Sequence, residues 1–426
     1  VLVILYGLSL LQRPPVYIET VAVSAVLVLL FGTGCVRLIP TLMSMLTGAE
    51  PHMKREGDRT FRRCGTRELM KLFLIVLAVR LLEFPLTYVV RYALFGFTGT
   101  FFEVQRIWLD FYHPETAFPL YGYLSNIFWI ITVNFNHARF IGSYLFTALS
   151  VVALYYLVQL DFDRRVARRT IRYFLLMPYA LTLMGTVPDG LFLLFSVLTL
   201  LFLRKNKFPL ANLFAFLAVL THALGVLLFF PIIASYVSYL YGNTRNNRAV
   251  DKGYIARQIL NTLSMLLIPI GIGLVMLYSR FYFGDGMWLY QFALGGTGSD
   301  SVTLFKWLDA GFSLLRTVGG NSTAIYFGTH LAQLVYILFA LLMLLFAGKT
   351  IPSSFTLLMA VTIPAIALTG HVSDAARVIT MTAPFVITFA ARVKNRLVDA
   401  IITLILLASW IAYFFAFIAG FTGGGL

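Results

Sequence analysis

The stretch FFEVQRIWLDFYHPETAFPLYGYL, residues 101–124, gathers Glu103, Arg106, Asp110, His113 and Glu115 in a chain of which only 12% is charged. Carboxylates of this kind can take a proton from a hydroxyl nucleophile, and an arginine beside them can hold an anionic oxygen. A helix over 101–112 sets Glu103, Arg106 and Asp110 at i, i+3 and i+7 on one face, with Val104, Ile107, Trp108 and Phe111 on the other. That pattern also describes the wet face of an amphipathic interfacial helix laced by ion pairs, and spacing by itself favours this plainer reading. Pro114 and Pro119 then break the chain, and Pro119 suits the first position of a second short helix. The acids nevertheless stand beside a bulky, Tyr-rich segment, which solubility alone does not require.

Other polar residues punctuate apolar runs. Asp189 lies between Pro188 and Gly190, a sequence suited to a tight turn or a helix cap. His222 sits near the end of an apolar run, where a hydrogen-bonded bundle histidine is the ordinary reading. Arg377, just inside another run, is expensive in lipid and calls for a partner; Asp374 or a lipid phosphate are the obvious choices. Arg80 and Glu83, at i and i+3, neutralise each other, while Glu19 stays unassigned. His113, His137, His222, His330 and His371 show no ligand spacing, so no metal site is expected. There is no P-loop, GxSxG or HExxH motif, and Asn321-Ser-Thr is a glycosylation sequon.

The elements that must position these residues are set by composition. Of 426 residues, 59% are hydrophobic, a surplus with no solvent face to occupy, so the chain reads as an all-α polytopic membrane protein. Its net charge of +15 comes from basic residues in short loops between apolar runs, which points to membrane orientation and away from nucleic acid. Cys35 and Cys64 provide no disulfide framework. Residues 1–12 are too short an apolar piece to span, lack the pattern of a signal peptide, and read as a trimmed first helix.

Spans are expected at about 17–39, 69–90, 139–160, 172–187, 189–204, 210–222, 224–241, 258–282, 323–347, 351–370, 375–393 and 397–418. Segments 51–71, 164–172, 204–207, 245–257, 349 and 392–396 hold 23 of the 33 basic residues and are therefore assigned to the cytoplasm. For that to hold, 118–135 must lie on or dip into the outer interface without crossing. Large outer regions follow at 91–138 and 283–322, with outer turns near Asp189, His222 and His371. No internal repeat, low-complexity tract or soluble domain is visible.

Several segments, in order, resemble the PIG-V-like mannosyltransferases of the GT-C superfamily. LAVRLLEF at 77–84 is an apolar helix with an internal Arg, and AFPLYGYL at 117–124 is similar to that family's FFPLYP. TVPDGLFLLFSVL at 186–198 stands where the family has YSE and an apolar helix, and LTHALG at 220–225 stands at its LTRxxG. FGDGMWLYQ at 283–291 resembles a loop with Gly-Asp and a later Gln, and SDAARVITMTAP at 373–384 resembles SxxRY…P. Departures accompany these matches. Thr100 falls at the Asp of WDxxHYLxIAxxGY, Asp189 replaces the YSE acid, His222 the LTR arginine, and Val378 the Tyr after Arg.

The resemblance implies a GT-C-type bundle of about 11 to 13 transmembrane helices, with interfacial helices in the first large outer loop. It places the catalytic module at 69–396, extra N-terminal segments and a basic loop at 1–68, and a last helix and tail at 397–426. It further implies a sugar, mannosyl or a related hexosyl, moved from a polyprenyl- or dolichyl-phosphate donor to a lipid, glycan or protein acceptor outside the cytoplasm. Glu103, Asp110 and Asp189 are the implied catalytic acids; Arg106, Tyr121, His222, Gln291, Asp374 and Arg377 are the implied substrate-binding residues. Glu103 as general base and Glu103 as a surface partner of Arg106 both remain open. No cofactor beyond the lipid-linked donor is expected; membrane lipids and an unidentified membrane subunit are the expected partners. A bacterial plasma membrane is preferred to the endoplasmic reticulum. The alternatives are a catalytically degenerate scaffold or partner subunit and, further off, a transporter, which the lack of repeats and paired broken helices disfavours.

Overall fold

The computed structural model describes residues 66–95, 118–128, 135–184, 188–245, 252–293, 330–368 and 375–418, together with Val26, Thr33 and Ser313. Fifteen helices are described: α1 (Thr66–Phe95), α2 (Pro119–Asn126), α3 (Phe135–Asp161), α4 (Arg164–Leu176), α5 (Asp189–Arg204), α6 (Phe208–Val219), α7 (Phe229–Arg245), α8 (Lys252–Ser264), α9 (Leu267–Phe283), α10 (Trp288–Ala293), α11 (Ala332–Ala347), α12 (Ser353–Leu368), α13 (Ala375–Met381), α14 (Ala383–Arg392) and α15 (Arg396–Ile418). Two 3₁₀ turns, Pro178–Met184 and Ala223–Leu228, precede α5 and α7. Among the described residues there is no strand, and four segments are long and apolar enough to cross a bilayer: 138–161, 223–242, 253–283 and 396–415. The protein is an all-α membrane protein.

The centre of the bundle is α3, which packs on α1, α2, α4 and, most extensively, α5; α5 in turn packs on α6, and α6 on α9. Small residues permit the close approach. A Cβ on Gly190 of α5 would lie 2.5 Å from Thr147 Oγ1 of α3. By contrast, one broad face of α15 is exposed, with Leu397, Leu404 and Ile405 on the outside, while Ile402 and Leu406 pack on the core and Phe414 is buried, the arrangement expected of a helix whose solvent is lipid.

Three expected spans are divided differently. The expected span at 172–187 does not form. Arg164, Arg165, Arg168, Arg169 and Arg172, expected in a loop, belong instead to α4, which ends at Leu176 before the 3₁₀ turn. Asp163 caps α4 by accepting from Val166 N at 2.9 Å, while Ala167, Ile171 and Phe174 recur at helical spacing to bury one face. Met177 then adopts extended backbone ahead of Pro178, which disfavours helical geometry in the residue before it.

The expected span at 375–393 is split into α13 and α14 at Thr382, whose ψ of 85° leaves the helical region two residues before Pro384. Proline supplies no backbone donor there. Within 253–283 the helix breaks between Ser264 and Leu267, because the ring of Pro269 conflicts with the carbonyl four residues earlier. The eight-residue α2 begins at Pro119, as its sequence leads one to expect, and at about 1.5 Å per residue is far too short to cross.

The turn after α6 illustrates how tightly these breaks are built. Thr221 N and His222 N both donate back to Ala218 O, and His222 is extended, at φ −157° and ψ 145°. Gly225 then passes so near α6 that a Cβ would lie 2.6 Å from the Ala218 carbonyl carbon. Because backbone cannot move aside as a side chain can, Gly225→Ala is expected to destabilise the protein by about 1–3 kcal/mol. Thermal unfolding in detergent, with Gly242→Ala as the unobstructed comparison, measures this; nothing lies within 4 Å of a Cβ at Gly242.

Candidate functional site

Asp189 opens α5 and Arg377 sits on the first turns of α13, 188 residues later, yet their side chains meet. Arg377 Nε donates to Asp189 Oδ2 at 2.6 Å and Nη2 donates to Oδ1 at 2.7 Å, a bidentate pair. The carboxylate is fully buried, at 0% exposure, whereas the guanidinium side chain keeps 29%. The carboxylate is therefore closed off by protein, while part of the guanidinium side chain stays exposed. The position of Asp189 at a helix N-terminus adds a favourable dipole for its negative charge. The sequence assigned Arg377 either Asp374 or a lipid phosphate; the structure supplies Asp189, and Asp374 lies outside the described residues.

Neighbouring helices hold this pair in register. Ser143 and Thr147 of α3 both donate to Leu183 O, at 3.0 and 3.2 Å, tying the 3₁₀ turn before α5 to the central helix. The α13 side is held by Gln333 of α11, a buried residue whose Oε1 accepts from Ala376 N and whose Nε2 donates to Tyr179 Oη, both at 2.7 Å. Gln333 thus satisfies a first-turn N–H of α13 immediately before Arg377. The sequence reading passed over Gln333; an uncharged amide inside an apolar run was the signal available.

His222 packs against the first turn of α5, the helix that Asp189 opens. Its Nδ1 accepts from Leu224 N at 3.1 Å, so the neutral ring carries its proton on Nε2. Its ring lies 5.1 Å from that of Phe192, one turn after Asp189, and stacks on Phe118 at 6.4 Å. Phe118 meets Tyr290 edge-on at 5.6 Å, and Leu120 N donates to Leu220 O at 3.1 Å, fastening the start of α2 to the turn after α6. Burial pushes the Tyr290 phenol above its ordinary range, and its hydroxyl has no hydrogen-bond partner among the described residues. Phe118, Phe192 and Tyr290 were also not singled out from sequence, because aromatic residues in apolar runs look like core.

Tyr121 is fully buried, and its hydroxyl donates to Arg139 O at 3.2 Å, so it anchors α2 on α3. Gln291 belongs to α10, next to Tyr290, but its side chain is not described. Glu103, Arg106 and Asp110 lie outside the described residues, as does Thr100. Arg80 is buried on α1; the side chain of Glu83 is not described. Among the described residues no three His, Cys, Asp or Glu side chains come together in a metal-binding group.

The opposite end of the bundle has a different character. Arg204 pairs with Asp161, Glu68 receives Arg164, Arg168 and Tyr155, and Asp399 receives Arg169, Arg172 and Tyr173. Thus α5 runs from the Asp189 end to a cationic end, and α14 finishes at Arg392 on that same side as α4. No family model matches the chain, and no curated protein matches it.

Because Asp189 is buried with both oxygens engaged, removal of one partner strands a charge. Arg377→Met or Asp189→Leu alone is expected to lower stability by about 3–5 kcal/mol, and the double substitution to recover most of that loss. Denaturation of the three variants in mild detergent, analysed as a double-mutant cycle, reads the coupling.

Proposed function

We propose that this protein is a GT-C-type glycosyltransferase that moves a sugar, mannosyl or a related hexosyl, from a polyprenyl- or dolichyl-phosphate donor to a lipid, glycan or protein acceptor. The reaction takes place on the extracytoplasmic face, in a bacterial plasma membrane. The observation that carries this reading is the bidentate Asp189–Arg377 pair. Two positions that resemble separate family elements meet across the bundle, at the end opposite the arginine-rich one.

In this reading the acceptor oxygen attacks the anomeric carbon as the bond from that carbon to the donor phosphate oxygen breaks, inverting the centre. The acceptor proton passes to a carboxylate, and the bonding pair leaves with the lipid phosphate. Asp189 has both oxygens committed to Arg377, so its task is to aim the guanidinium, whose exposed part meets the departing phosphate. Glu103 or Asp110 is then the base, with Arg106 beside it. His222, with Nε2 protonated, is the proposed hydrogen-bond donor to the donor phosphate, and Gln291 and Asp374 are proposed substrate-binding residues. Tyr121 contributes by fixing α2.

Transfer of radiolabelled mannose from polyprenyl-phosphate-mannose in membranes containing the full chain tests the reading. Removal of the base, by Glu103→Gln or by Asp110→Asn, is expected to abolish transfer, and Arg377→Lys to reduce it about a hundredfold, because a lysine cannot reproduce the planar fork. Unchanged transfer in all three variants would overturn the assignment. A second reading, a catalytically degenerate partner subunit, is favoured by one observation: Thr100 stands at the family's acid position while Asp189 is fully engaged. It predicts no transfer from any lipid-linked donor by the isolated chain.

A further inference from the structure

At the cationic end of the bundle, α4 crosses between the first turns of α1 and α15. Glu68 of α1 takes Arg164 at 3.4 Å and Arg168 at 3.2 Å, and Asp399 of α15 takes Arg169 at 3.1 Å and Arg172 at 2.5 Å. The two carboxylates are each also closed by a tyrosine hydroxyl at 2.7 Å, Tyr155 on Glu68 and Tyr173 on Asp399. The other described acids at this end are engaged too: Asp161 by Arg204, and Asp163 by Val166 N. Glu68, Asp161 and Asp399 are thus turned to cationic partners, the exposed Asp163 caps α4, and the described cations outnumber it on the outward surface. Arg67, Lys71, Arg165, Lys394 and Arg396 are exposed, and Arg168 keeps 69% of its side chain exposed despite its bond to Glu68. A guanidinium has five donors, so one bond to a carboxylate leaves others for a second anion.

The cations do not stand alone. On α1, Met70 and Leu74 follow Arg67 and Lys71 and are more than half exposed; on α15, Leu397, at 67% exposure, and Ile401 follow Arg396. These two helices pack against each other and both are held to α4, so a positive rim continues directly into an apolar seam. A polyanion such as a nucleic acid has nothing to lay along that seam. A phospholipid has a phosphate for the rim and acyl chains for the seam.

We propose that the junction of α1, α4 and α15 is a binding site for an anionic phospholipid of the surrounding leaflet, its headgroup among Lys71, Arg168, Arg172 and Arg396 and its chains along Leu74, Leu397 and Ile401. The bound lipid shields the outward cations and bridges the first turns of α1 and α15. The site is independent of the glycosyltransferase reading, since it lies at the other end of the bundle from Asp189 and Arg377.

The test uses the full chain purified in dodecyl maltoside, with phosphatidylglycerol and phosphatidylcholine added separately and bound lipid counted by native mass spectrometry. Phosphatidylglycerol is expected to bind at least tenfold more tightly than phosphatidylcholine. Lys71→Gln/Arg396→Gln should weaken it about thirtyfold, the equivalent of about 1 kcal/mol per cation, while Lys207→Gln, away from the junction, should leave it unchanged. Leu397→Ser should weaken phosphatidylglycerol severalfold without altering the weak binding of glycerol phosphate, which lacks chains. It also serves as the deciding variant should the double substitution fail to elute as a single helical species. Equal binding of the two phospholipids, unchanged binding in the variants, or displacement of phosphatidylglycerol by an oligonucleotide at equal concentration would each overturn the proposal.

Discussion

A carboxylate taken wholly out of water costs several kcal/mol unless a cation and hydrogen bonds replace the lost hydration. Asp189 meets that condition through one residue, Arg377, and much of this end of the bundle can be understood as what is needed to deliver that guanidinium. Gln333 fixes the start of α13, Tyr179 fixes Gln333, and Ser143 with Thr147 fixes the turn from which α5 begins. The break at Thr382 matters for the same reason. It makes α13 a short separate helix that can be set against α5, where one continuous span from 375 to 393 would carry Arg377 along the axis of α14.

The two ends of the molecule solve the same electrostatic problem differently. Near Asp189 the acid is closed within the protein and matched to the Arg377 guanidinium, which stays partly exposed. At the other end arginines outnumber acids, and α4 serves as a strap whose buried face packs on the bundle while its cations reach Glu68 and Asp399 on either side. This arrangement binds the beginning of α15 to the core, to which the 3₁₀ turn Pro178–Met184 also holds it. The excess of positive charge that orients the chain in a bilayer is thus also a structural fastening.

Much of the helical content was legible in the amino-acid order, because apolar runs in a membrane leave the backbone no alternative to internal hydrogen bonding. Pro119 as the start of α2 was readable for a similarly local reason. The misreadings were also local in origin. A run such as 172–187 counts as a span by hydropathy, yet the five arginines of 164–172 with apolar positions at helical spacing make a better amphipathic helix, and that helix takes the first third of the run. The same holds at 375–393, where hydropathy averages over Thr382 and Pro384 and the backbone does not. Asp189, His222 and Arg377 stood out as polar residues in apolar surroundings, whereas Gln333, Phe118 and Tyr290 did not, since amide and aromatic side chains are common in buried helices.

The sequence by itself determined the class of molecule: its apolar surplus, its basic loops and its polar residues within apolar runs follow from composition and order, each of which acts over a few helical turns. Only the tertiary structure decided which charges are partners. Asp189 and Arg377 are separated by 188 residues, and Arg172 and Asp399 by 227, and no periodicity links positions so far apart. Their pairing arises from packing, because a buried charge is tolerable only where the folded bundle brings its counter-charge within hydrogen-bond distance.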